Sequence, residues 1–70
     1  MTTSARNRLP GIVEAVRVDG ILARVDIAVG EHHMVAVITA ESAEELNLAP
    51  GKPVFAVVKA TSVMVASDDA

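Results

Sequence analysis

Six Lys and Arg, nine Asp and Glu and two His are the ionisable side chains with which this chain could do chemistry. The two histidines, His32 and His33, are adjacent. On a strand, neighbouring side chains point to opposite faces, so these two cannot chelate one ion together. They read as histidines at the edge of a turn. There is no cysteine, which excludes a disulfide framework and a thiolate metal cage. No Ser–His–acid set stands out along the chain, and Glu41, Glu44 and Glu45 are accounted for by the start of a helix. The residues point away from an enzyme.

The donors are better placed. Arg6 and Arg8 stand near the start, with Ser4 and Asn7 beside Arg6; Lys52 and Lys59 stand late in the chain, and Thr61 and Ser62 follow Lys59. Thr39 and Ser42 flank the start of the predicted helix, where free amides and the helix dipole attract anions. A small oxyanion at neutral pH only accepts hydrogen bonds. Its site must be made of N–H groups, hydroxyls and one or two cations. Three stretches of this kind in a short chain point to anion binding. Each also has a plainer reading, as a helix cap, a surface lysine or a terminal arginine.

Nucleic acid is a poor partner. Single-strand binding needs a basic groove and aromatic platforms, but the net charge is −3 and Phe55 is the single aromatic residue. A membrane partner is not expected either. No apolar run approaches the ~20 residues needed to cross a bilayer. The polar opening, Met1-Thr2-Thr3-Ser4, leads into arginines and not into an apolar segment. The chain therefore reads as cytoplasmic.

The elements that must position the donors can be read from the pattern. Ile12 to Val18 is rich in β-branched residues and predicts a strand, with Pro10-Gly11 as the turn signal before it. Asp19-Gly20 is a hairpin signal. After it Ile21, Ala23, Val25, Ile27 and Val29 alternate with Arg24 and Asp26, the pattern of a half-buried strand. Gly30-Glu31 makes a second turn. His33 to Thr39 predicts a third strand, apolar on both faces and so covered on both sides. Ser42 to Glu45 has the spacing of a capping box, with Ser42 as the cap. Asn47 suits the left-handed end of a one- or two-turn helix. Pro53 to Lys59 and Ser62 to Ala66 predict two further strands. The fold class is all-β: a small five-stranded OB-fold-like barrel, one domain over residues 1–70, with one short helix between strands 3 and 4.

Twelve alanines and twelve valines dominate the apolar residues, so each core side chain buries little area. A chain of 70 residues with such a core needs a staple. Without disulfides or metal ligands, the staple predicted here is a homo-oligomer.

Ser4-Ala5-Arg6-Asn7, Ala36-Val37-Ile38-Thr39, Glu41 to Leu46, and Val58-Lys59-Ala60-Thr61 with Val63-Met64 stand in the order and spacing of a known family. The chain resembles the molbindins, small Mop or TOBE-type domains that bind molybdate and tungstate. The likeness runs from residue 4 to about residue 66. It implies an OB-like barrel assembled as a hexamer, a trimer of dimers, with oxyanions held between subunits. It implies molybdenum storage or homeostasis inside the cell and no catalysis. Molybdate or tungstate would be the bound ligand, with no organic cofactor and no bare metal cation. By this resemblance Ser4, Arg6 and Lys59 contact the oxyanion, with donors near Thr39 and Ser42. Ala5 and Ala60 contribute backbone amides, and Asn7 and Thr61 support them. Two departures stand out. The turn before the third strand is Gly30-Glu31-His32-His33 where the family is glycine-rich, and Asn47 replaces a usual glycine. Glu31 and His32 leave a second class of pocket unassigned. The alternative from another class is a non-catalytic oligomerisation or docking module associated with a transporter or regulator.

Overall fold

The computed structural model describes residues 6–68. Four antiparallel strands form one curled sheet in the order β3-β2-β1-β4. β1 spans Asn7–Asp19, β2 Leu22–Val29, β3 His32–Thr39 and β4 Pro53–Val58; a short helix, α1, spans Ala40–Glu45 between β3 and β4. The all-β class and the place of the helix are as the sequence predicts.

β1 is longer than its apolar run. It begins at Asn7, five residues before the predicted start, because its first half pairs with β4, from Asn7 opposite Val58 to Ile12 opposite Pro53. Its second half pairs with β2, from Ile12 opposite Ala28 to Asp19 opposite Leu22. Pro10 therefore stands inside the strand, in the stretch with a single neighbour, where a residue without an N–H is tolerated. Two devices let β1 change partners. A Cβ on Gly11 would lie 2.7 Å from both the Ala28 carbonyl oxygen and Ile27 Cγ2, so only glycine allows so close a crossing. Glu14 is the extra residue of a bulge between Val13 and Ala15, which bends the strand further. Val13 is pinned at the bend: its N–H donates to the Lys52 carbonyl at 2.9 Å and its carbonyl accepts from Gly51 N–H at 2.8 Å.

Both hairpins are tight. Asp19 pairs with Leu22 and Val29 with His32. Gly20 and Gly30 take the first central position of each turn with φ of 63° and 59°, where a side chain would be strained. The core is made of small residues. Val13, Val25, Ile27 and Ala56 are buried, with Met34, Ala36, Ile38, Leu48 and Val54 packed against them. The concave side stays open as an apolar cleft of about 420 Å³ among these residues.

Two expectations are corrected. The helix is capped by Thr39, not Ser42. Thr39 has extended backbone and its Oγ1 accepts from Ser42 N–H at 3.0 Å. Ala40 and Glu41 extend the helix N-terminally, so Glu45 falls at its end and cannot close a box with Ser42. The fifth strand over Ser62–Ala66 is not formed within the chain. Ala60–Ser62 makes a 3-10 turn and residues 63–67 have no regular structure. A strand needs a neighbour, and none of the four strands takes this segment as one. Within the single chain Val35 and Val37, on the outer face of β3, remain 49% and 63% exposed, the face that the sequence reading assigns to cover by another subunit. The end of the helix is as predicted. Asn47 has φ 53°. Its N–H donates to Glu44 and that of Leu48 to Ala43, a Schellman motif that satisfies the last carbonyls.

Candidate functional site

The sheet brings the first and last donor clusters together. Asn7 opens β1 directly opposite Val58, the last residue of β4, and Asn7 Nδ2 donates to the Val58 carbonyl at 3.2 Å. Arg6 precedes this pair and Lys59 follows it, both exposed. Two cations 53 positions apart in sequence thus flank one backbone pair. The chain then turns at once. In the 3-10 turn Ser62 N–H donates to the Lys59 carbonyl at 2.9 Å and Val63 N–H reaches Ala60. The N–H groups of Ala60 and Thr61 come too early to find an acceptor inside the turn. Together with the Thr61 hydroxyl they give a local set of donors beside Lys59. This is the chemistry an oxyanion needs: cations for charge and fixed N–H groups for orientation. Ser4 and Ala5 lie outside the described residues.

Thr39 and Ser42 sit elsewhere. Thr39 pairs with Leu22, which pairs with Asp19 at the far end of β1. Asn7 and Asp19 are separated by about 40 Å of strand contour at ~3.3 Å per residue. Strand register does not join Thr39 and Ser42 to the Arg6–Lys59 corner. Their hydroxyls are partly committed: Thr39 donates to Ser42 Oγ at 2.8 Å while capping the helix. That bond leaves the Ser42 hydroxyl proton free to point outward.

The remaining cations of the two basic clusters have other work. Arg8 lies over the ring of Phe55, its Cζ 4.8 Å from the centroid, a cation–π contact across the β1–β4 pair. Lys52 Nζ donates to the Leu46 carbonyl at the end of α1, where the dipole favours a cation. Neither was singled out as a ligand by sequence.

A second polar cluster was not foreseen. On the outer face Asp26, whose side chain is only 12% exposed, receives Arg24 Nη2 at 3.1 Å and His33 Nε2 at 3.0 Å. His33 Nδ1 also meets Glu14 Oε1 at 2.9 Å. The bond from Arg24 holds the Asp26 carboxyl below its ordinary value, with His33 adding to the effect against the opposing cost of burial. Glu14, then Asp26, raise His33 above its ordinary value, again against burial. The imidazole stands between the two carboxylates, so the three groups do not converge on a metal. Sequence carried no signal for this cluster, because the bulge that aims Glu14 is visible only in the register.

Comparison with known proteins places the fold. The TOBE domain pattern matches residues 3–65. The chain is 51% identical over 69 residues to the molybdenum transport protein ModE of Azotobacter vinelandii, 97% of this chain but 26% of that protein. It therefore spans about a quarter of the length of that relative. It is 39% identical over 66 residues to a probable molybdenum-pterin-binding protein of Haemophilus influenzae, covering 93% of this chain and 96% of that protein. The fold superposes on a molybdate-binding protein from Sporomusa ovata with a TM-score of 0.92 and 34% identity, over 96% of this chain and all of that one. On the family match and on relatives of its own size, the chain belongs to the TOBE-domain family, in its Mop-type, molbindin branch.

Proposed function

We propose that this protein binds molybdate or tungstate between subunits of a homo-oligomer and serves molybdenum storage or homeostasis in the cytoplasm, without catalysis. The single observation that carries the reading is the corner where Arg6 and Asn7 meet Val58 and Lys59, followed by the unspent amides of Ala60 and Thr61. The similar Sporomusa protein is a molybdate-binding protein, which names the class of anion. In this proposal Ser4, Arg6 and Lys59 contact the anion, Ala5 and Ala60 offer amides, and Asn7 and Thr61 hold the corner. Thr39 and Ser42 reach an anion only from another subunit, because within one chain they stand at the other end of the sheet. A hexamer built as a trimer of dimers provides such contacts and completes the barrel that one chain leaves open.

Equilibrium dialysis against molybdate, tungstate and sulfate tests the proposal. Binding of molybdate and tungstate well below millimolar concentration, with sulfate weaker, is the expected result. If none of the three binds in that range, the proposal fails.

A further inference from the structure

Glu14, Asp26 and His33 come from three different strands, and the contact between His33 and Glu14 reaches across β2, which lies between β3 and β1. A carboxylate oxygen offers lone pairs only. A neutral imidazole carries one N–H, so it can satisfy one of its two carboxylate neighbours and must turn a lone pair toward the other. Only the doubly protonated ring donates to both. We propose that His33 is a proton-operated clasp, which when charged ties the bulge of β1 and the buried Asp26 of β2 to the start of the edge strand β3, and when neutral releases one of the two ties.

Two further features favour this reading. Glu14 is the extra residue of the bulge, so β1 aims a carboxylate there by a break in its own regular pairing. Among the described residues β3 has β2 as its one neighbour in the sheet, so the clasp is a direct tie from β3 to β1 that the sheet itself does not supply. The other charged groups near the ring are few. On β2, Arg24 bonds the same Asp26 oxygen as His33. On β1, Arg17 stands opposite Arg24. Glu31 lies in the turn before β3, and the ring of His32 takes the opposite face of the strand.

The sign follows from both partners. His33 is raised from its ordinary value of 6.5. Its contribution is therefore complete below 6.5 and is lost as pH rises through the raised value. Asp26 is lowered from 3.8, so its contribution is complete above 3.8 and is lost as pH falls through the lowered value. The clasp is closed between these limits and opens on the alkaline side.

NMR titration of the His33 ring in the full chain tests this directly, with Glu14→Gln and Asp26→Asn as comparisons. The expected midpoint is above 6.5 in the unmodified protein and lower in each variant. Hydrogen exchange at the amides of Val35 to Ile38, corrected for intrinsic base catalysis, should quicken as pH crosses the midpoint. That response should vanish in His33→Gln. A midpoint at or below 6.5, or the same exchange response in His33→Gln, overturns the clasp. Should Asp26→Asn fail to fold, the unmodified protein and Glu14→Gln decide alone.

Discussion

Arg6 and Lys59 are the residues on which the proposed binding depends most. Both are exposed and neither supports the core, so their charge is available to a ligand and their loss leaves the sheet intact. Arg6→Ala and Lys59→Ala should each weaken molybdate binding by about 1.5–3 kcal/mol, the usual worth of a hydrogen bond to a charged group. Isothermal titration beside a thermal melt checks both halves of this statement. Unchanged affinity in both variants would remove these residues from the site. Their neighbours Arg8 and Lys52 make useful controls, since Phe55 and the end of α1 already occupy them. The resemblance picked Arg6 and Lys59 out of the two clusters, but nothing in the sequence hinted at what occupies Arg8 and Lys52. Arg8 faces the Phe55 ring across the β1–β4 pairing, whereas Lys52 faces the nearby Leu46 carbonyl at the end of α1.

At the scale of elements, β1 carries the architecture. Its bend depends on Gly11, where any Cβ meets a backbone oxygen that cannot swing aside. Gly11→Ala should therefore destabilise the fold by about 1–3 kcal/mol, in the range of an overpacked core. Urea unfolding measures it, and a stability equal to that of the unmodified chain would show that β1 and β2 can part without cost. Elements with a clean local signal were legible. β2 alternates through Ala23, Arg24, Val25, Asp26 and Ile27, the turns have Gly at the strained position, and Asn47 marks the end of α1. Most of what sequence misplaced was set by the presence or absence of a distant partner. β1 reached back to Asn7 because β4 pairs with residues whose own pattern is weak. The apolar segment 62–66 has strand composition but no strand beside it. The cap moved to Thr39 because the first turn accepts Ala40 and Glu41 as readily as the residues after Ser42.

At the scale of the molecule, the chain leaves more apolar surface open than its own core can use. Val35 and Val37 line the outer face, Met64 and Val65 are 92% and 94% exposed, and the concave cleft is apolar. Among the described residues, no helix is long and apolar enough to cross a membrane. In the proposed assembly a second subunit would cover such surface, which is why the proposed site lies between chains. Sedimentation velocity or native mass spectrometry should find an assembly larger than the 7.3 kDa chain, further stabilised by molybdate. Apparent affinity should also rise with protein concentration, as binding linked to association requires. A monomer of unchanged mass in saturating molybdate would refute the shared site. The net charge of −3 makes this economical. In the proposed site the cations Arg6 and Lys59 stand at one corner, and a net negative chain would not hold the ligand unspecifically elsewhere.

The partner change along β1 has a kinetic consequence. β1, β2 and β3 are joined by two-residue turns and can pair by local search, whereas β4 must return across some forty residues to find the first half of β1. Closing that loop is the entropically slow step. The Arg6–Lys59 corner exists only once that closure is made, so the proposed anion-binding corner is assembled at the final stage of folding.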